Sequence, residues 1–229
     1  MTNRINFKIS FALALALAAG VGVLSVAPLA AQAAEAPKNS VTRKFVKPIQ
    51  EAQAALQAKD FPKAIEQLRT VEAAPDRSPY DTFVVNQLLG IALVQSQQNA
   101  AAIPYFEGMI SSGFLEPNDS QLYSREIVKL LYGDKQYAKA AEAGRKVIAS
   151  GAADEDTYLV VSQAEFLNKN YPGVVEVLAP RVKQAEASGT KLPEATLQLL
   201  SEAYIRQNDM ANAAGPLRLL VTHYPSPQH

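Results

Sequence analysis

The amino-acid sequence predicts an all-α fold, a superhelix of about five stacked helical hairpins, and three observations predict it. A short segment recurs along the chain. "KDFPKAIEQL" at 59–68 and "KQYAKAAEAG" at 135–144 both set an aromatic residue three places before a small one. "KNYPGVVEVL" at 169–178 keeps the aromatic and has Val174 at the small place, whereas "QNAAAIPYF" at 98–106 keeps the small residue and loses the aromatic. With residues 207–214 the small places are Ala64, Ala102, Ala140, Val174 and Ala213, separated by 38, 38, 34 and 39 residues. A period in the mid-thirties belongs to helix-turn-helix repeats. The second observation is apolar residues at helical spacing upstream of the small places: Leu88, Leu89, Ala92 and Leu93, then Ile127, Val128, Leu130 and Leu131. The third is the punctuation, with "APDRSP", "SSGFLEPND", "SGAADED" and "SGTKLP" falling between the units.

Each unit is read in the same way. Its first helix carries the apolar stripe, and a tight turn follows. The small residue on the second helix lets the two backbones approach, and the aromatic packs over that contact. One hairpin alone leaves an apolar face uncovered, which the next hairpin covers. Pro62 and Pro172 fall in the first turn of a second helix, where the missing amide hydrogen does no harm. Pro104, Pro180 and Pro216 lie deeper and are expected to kink their helices.

The upstream residues Leu89-Gly90, Leu200-Ser201, Tyr204, Leu197 and Pro225, together with the small residues above, resemble the tetratricopeptide repeat. The resemblance covers about residues 43–225. It is fullest in the second and fifth units, and the third departs most from it. It implies a right-handed superhelix. The expected organisation is a leader at 1–33, a flexible segment at 34–42, the repeat domain at 43–225 and a tail at 226–229.

Arg4 and Lys8 precede an apolar run from Phe11 to Leu24, and Ala31-Gln32-Ala33 offers the small-x-small pattern of a cleavage site. This reads as a signal peptide of a bacterial exported protein, not as a membrane anchor, because the run is short and rich in Ala and Gly. Periplasmic localisation is expected, with release to the medium as the alternative. Cleavage after Ala33 leaves 196 residues with 20 basic and 22 acidic side chains, a net charge of −2. That balance gives no electrostatic case for nucleic acid or an anionic membrane surface. Without a single cysteine, stability in an oxidising compartment comes from packing alone.

No catalytic pattern is present. The two histidines, His223 and His229, stand beside prolines near the C-terminus. No nucleophile elbow, phosphate-binding loop, HExxH or dinucleotide fingerprint occurs. "DEDT" at 154–157 reads as a helix N-cap with acidic residues favoured by the dipole, and Asn118-Asp119 reads the same way. Tyr80, Tyr132 and Tyr158 read as packing or edge residues. The chain is therefore expected to be no enzyme and to need no cofactor or metal.

The working surface is expected on the concave face, along the first helix of each unit. Positions turned away from the packing stripe give Gln53 and Gln57, Gln87 and Gln95, then Arg125, Lys129 and Tyr132, then Gln163, and finally Gln198, Glu202 and Arg206. Amide side chains both donate and accept, which suits hydrogen bonding to a peptide backbone. Arg125 and Lys129, one turn apart, are expected to form a basic spot there. The function expected is a scaffold for a protein or peptide partner in the cell envelope. The leader, "TRKFVKPIQEAQAALQAKDFPKAI" and "LRLLVTHYPSP" resemble periplasmic repeat proteins that accompany TonB-ExbB-ExbD-type systems. A small-ligand or glycan-binding protein and a structural oligomer are the alternatives. In the last helix, Met210, Ala213, Ala214, Leu217, Leu220, Val221 and Tyr224 are expected to pack on their own hairpin and Leu219 to face a following helix. The chain is then either part of a longer array or one whose open end another chain covers or that self-associates.

Overall fold

The computed structural model describes residues 39–225, which form ten α-helices and no strand. The leader and the tail fall outside these residues. In order the helices are α1 (Arg43–Gln57), α2 (Phe61–Glu72), α3 (Pro79–Gln95), α4 (Asn99–Ser111), α5 (Pro117–Gly133), α6 (Tyr137–Ala149), α7 (Glu155–Leu167), α8 (Tyr171–Ser188), α9 (Glu194–Arg206) and α10 (Met210–His223). They pair as five hairpins, and each helix packs on its neighbours in sequence. The fold is a tetratricopeptide-like helical array.

The turns explain why the hairpins repeat so evenly. Every turn inside a hairpin has one residue in the left-handed region: Lys59, Gln97, Lys135, Lys169 and Asn208, with φ between 57° and 64°. The amide after each donates back to a carbonyl five residues earlier, as from Asp60 to Ala55, Gln98 to Leu93 and Asp209 to Tyr204. The turn residue itself donates to the carbonyl three residues earlier, so two otherwise orphaned carbonyls of the first helix are satisfied in every hairpin. Three connections between hairpins also turn in the left-handed region, at Gly113, Gly151 and Gly189.

Counted from those turns, the five small residues coincide. Ala64, Ala102, Ala140, Val174 and Ala213 each lie five places past a left-handed residue, and each is at most 1% exposed. The first-helix stripes are buried as well, from Leu88 to Leu93 in α3 and from Ile127 to Leu131 in α5, apart from Lys129. Two glycines extend the rule. A Cβ on Gly90 would sit 2.5 Å from Cε1 of Phe106, and one on Gly144 would overlap Cγ2 of Val161.

First helices also pack on one another, α1 on α3, α5 on α7 and α7 on α9, whereas second helices do not. The first helices therefore line the inside of the curve. The loop residue Phe114 packs on the start of α3, with its ring 5.3 Å from Tyr80 and 5.5 Å from Phe83.

Helices α4, α8 and α10 carry Pro104, Pro180 and Pro216 in their interiors, where they were expected. Several expectations are corrected. The cap of α5 is Glu116, without a side-chain bond, and Asn118 lies inside the first turn. Asp154 does cap α7, accepting from the Thr157 amide at 2.8 Å. The N-terminal segment is anchored at Thr42, whose amide and hydroxyl donate to the two Asp81 oxygens at 2.8 and 2.6 Å. In α10, Ala213 and Leu220 are buried beside Pro216, but Met210, Ala214, Leu217 and Val221 face outward. Leu219, expected to face a following helix, instead packs inward against the core of the last two hairpins. Ala213, Pro216 and Leu220, at spacings of three and four, form the inner face of the helix, which packs on α9.

Candidate functional site

The residues expected on the inner face divide into three groups. Gln163, Gln198 and Glu202 come together. With Phe166, Ala195 and Leu199 they line a shallow groove of 330 Å³ between α7 and α9. Helical spacing explains the grouping, because Gln163, Phe166 and Leu167 share one face of α7, and Ala195, Gln198, Leu199 and Glu202 share one face of α9. Leu167 is 48% exposed at the edge of this face. The Gln198 amide nitrogen donates to Glu194 at 2.8 Å, and Arg206 Nε donates to Glu202 at 2.7 Å, so the carboxylates at the rim are engaged along their own helix.

Arg125 and Lys129 behave differently from the expectation. Arg125 turns toward the start of α7, donating to the Ala152 carbonyl at 2.8 Å and lying 3.3 Å from Asp154. Lys129 lies 3.1 Å from Glu126. The spot is electrically neutralised from within, because each cation meets a carboxylate close enough to offset its charge. Tyr132 stacks on Tyr137 across its own turn, with ring centroids 5.7 Å apart.

Of the N-terminal members, only Gln87 is held by a partner among the described residues. Gln87 is half-buried and hydrogen-bonded to the hydroxyl of Tyr123, whose burial pushes that phenol above its ordinary range. Gln95 is exposed at the last position of α3, and Gln53 and Gln57 lie on α1. Leu122 on α5 is 40% exposed.

Outside this face, a groove of 720 Å³ lies between α4 and α6, floored by α5. Its walls carry Ile103, Pro104, Glu107, Lys139, Glu142 and Lys146, a mixture without a concentrated charge of either sign. A buried ionic cluster occupies the junction of hairpins three and four. Glu165, with its side chain 4% exposed, accepts from Arg145 Nε and from the Asn170 amide, both at 2.7 Å. Arg145 also reaches Glu176 at 2.6 Å. The Glu176 hydrogen bond outweighs burial, and with that to Glu165 holds the guanidinium pKa above its usual value. Gly173 leaves room for the cluster, since a Cβ there would stand 2.8 Å from the Glu165 carboxyl carbon. This cluster joins the two hairpins, with Glu165 buried and Glu176 at its exposed rim. Among the described residues, no three His, Cys, Asp or Glu side chains gather as metal ligands, and no helix is long and apolar enough to cross a membrane.

The apolar members of the groove, Phe166, Ala195 and Leu199, and Leu167 beside it, were not among the residues expected from the sequence. Their signal was available: Phe166 and Leu167 follow Gln163 by three and four places, and Leu199 follows Gln198 directly.

Solved structures similar to this chain share the arrangement. MamA from Desulfovibrio magneticus RS-1, from residue 41 to its end, is 18% identical, with 82% of this chain and 100% of that one covered at a TM-score of 0.51. A MamA mutant is 13% identical over 81% and 96%, at 0.55. A MamA chain of MSR-1 is 14% identical over 77% and 96%, at 0.50. At these identities the likeness is one of fold. No protein-family model matches the chain, and no curated protein matches it significantly.

Proposed function

We propose that this protein is an exported, periplasmic scaffold that holds an extended segment of a protein partner on the inner face of hairpins four and five, beside an envelope complex that transduces energy or transports solutes. The observation that carries the reading is the α7–α9 groove, where Gln163 and Gln198 flank the apolar patch of Phe166, Ala195 and Leu199. The glutamine amides can pair with a peptide backbone irrespective of its sequence, while the patch takes an aliphatic side chain as an anchor. Because the nearby carboxylates and Arg125 are engaged internally, the segment is selected by shape and backbone more than by charge. The periplasmic location is supported by the basic start, apolar run and Ala31-Gln32-Ala33 of the leader. The place beside an envelope complex is supported by the resemblance of the opening and closing segments alone.

Site-directed photo-crosslinking in cells tests the groove. A crosslinking residue at Gln163 or Gln198 should trap one and the same protein, and a reporter at Lys139 on the outer groove should not. Leu199→Glu should abolish the inner crosslinks. Trapping from Lys139 alone, or from neither inner position, overturns the reading. Export is tested by the intact mass of the exported chain, expected to start at Ala34; a chain that retains Arg4 overturns it.

A further inference from the structure

We propose a second docking surface along the outer side of α10, which meets the inner groove only at Gln198 and Glu202, and infer that it takes an amphipathic helix supplied by a partner chain. The argument comes from four interfaces already present in the molecule. Nine places past each left-handed turn stand Leu68, Phe106, Gly144, Leu178 and Leu217. The first four are buried, covered by the first helix of the next hairpin, as Val161 of α7 shows against Gly144. Leu217 is 41% exposed. The neighbouring places tell the same story. Met210 corresponds to Phe61, Tyr137 and Tyr171, which are half-buried, but is 66% exposed, and Val221 corresponds to the buried Val182 but is 53% exposed. Met210, Ala214, Leu217 and Val221 follow one another at spacings of four, three and four, a seam for a packed helix along the whole of α10. Beside the seam, Ser201, Ile205 and Leu220 floor a groove of 520 Å³ between α9 and α10.

The fourth hairpin shows what fits. Its seam, Tyr171, Val175, Leu178 and Val182, carries the same Leu and Val in its last two places as α10 does. That seam is covered by α9, which presents the buried Thr196, Leu200 and Ala203. The corresponding first-helix triplets are Val85, Leu89 and Ala92 in α3, Tyr123, Ile127 and Leu130 in α5, and Thr157, Val161 and Ala164 in α7, all buried. The face of α10 continues this series, so its occupant is a helix with a branched aliphatic residue at the middle place, Ala or Leu at the last, and Thr, Val or Tyr at the first. The front of the array cannot serve as that helix in a second copy. There α1 presents Lys47, Glu51 and Ala54, with the two charges 3.9 Å apart and exposed. Seating them in the α9–α10 groove would desolvate both charges, which is unfavourable.

A labelled peptide of residues 191–208 of this chain, α9 with its flanking turns, serves as the probe in fluorescence anisotropy, with sedimentation equilibrium alongside. The expected result is saturable binding to a monomeric protein, weakened about tenfold or more by Leu217→Glu with Val221→Glu and independently by Met210→Lys. A scrambled peptide should not bind. All three positions are exposed, so circular dichroism of the variants should match the parent, and any variant that differs is replaced in the comparison by the other. Binding unaffected by both variants, or no binding at roughly millimolar peptide, overturns the proposal. So does a dimer of the parent that Leu217→Glu with Val221→Glu dissociates, which would assign the surface to a second copy. Gln198 borders both grooves, so crosslinking at Gln163, which lines only the inner one, reads that groove separately and the two readings can fail independently.

Discussion

Hairpins two and three meet the same packing requirement with opposite parts. In hairpin two the first helix contributes Gly90 and the second Phe106, and the ring fills the place a Gly90 Cβ would take. In hairpin three Val128 stands where Gly90 does and Gly144 where Phe106 does. Cγ1 of Val128 is then 3.4 Å from the site of a Gly144 Cβ, and Val161 of the next hairpin leans into the same space. What the array holds fixed is the combined volume across the interface and not the residue at either place, as dense interiors demand.

The largest effect is expected where that compensation is removed. Gly144→Leu should cost about 3 kcal/mol by overpacking against Val128 and Val161, and adding Val161→Ala should recover much of it. Chemical denaturation of the two single variants and the double measures this; additivity would mean that hairpins three and four do not meet at Gly144. Ala213→Leu, at a helix crossing 1% exposed, should cost about 1–3 kcal/mol by the same mechanism, and a neutral result would displace the register of the fifth hairpin.

A smaller effect belongs to the front of hairpin two, which hairpin three lacks. Asp81 closes a capping box with Ser78 and accepts both Thr42 donors, so Asp81→Ala should cost about 1–2 kcal/mol. Burial alone would raise the Asp81 carboxyl, but the Thr42 and Ser78 hydrogen bonds outweigh it and hold the pKa below the ordinary carboxylate range. A group lowered on folding stabilises above its unfolded pKa and loses that contribution as pH falls through the folded value. The thermal midpoint should therefore hold above about pH 5 and drop below about pH 4, and Asp81→Asn should flatten the drop. Asp154 is lowered too: Thr157 hydrogen bonds and the charges of Arg125 and Lys129 outweigh its burial, but its half-exposed side chain makes its share smaller. The smallest effect distinguishes the turns. Lys135→Gly should stabilise hairpin three by up to about 1 kcal/mol by relieving a left-handed lysine. No gain would mean that the lysine side chain compensates for the strain.

These differences mark what the sequence could disclose. The repeat register was legible because it is written locally: a turn residue, a small residue five places on and an apolar stripe behind. Val128 and Gly144 obscured it in hairpin three because each departs from the pattern singly, and only their contact restores it. The glutamines of the inner groove were legible from helical phase. The fate of Arg125 was not, because its partners Ala152 and Asp154 lie 27 and 29 residues away in a loop whose approach no local pattern encodes. The outer seam of α10 was misassigned for a related reason. Its apolar residues surround the helix, and periodicity alone does not say which side meets α9.

The uncovered seam also sets an order of unfolding. Nearly all helix contacts here join neighbours in sequence, a low-contact-order arrangement in which stability spreads from hairpin to hairpin like coupled beads. A hairpin with one neighbour opens more often than one with two. Hairpin one is at an end as well, but Thr42 and Asp81 tie its start to the next hairpin. The bonds from Tyr224 to Leu192, Lys191 to His223 and Arg218 to Glu186 instead hold α10 back toward α8 and the α8–α9 connection, and Gly215 lies in its middle. In hydrogen exchange the amides of α10 should therefore exchange first and those of α3, buried between α1, α2 and α4, last. A helix docked on Met210, Leu217 and Val221 would give the fifth hairpin its second neighbour, slow exchange in α10 and α9, and pass that protection inward toward α8. The rate at which hairpin five opens thus reports from inside the array whether its far end is occupied.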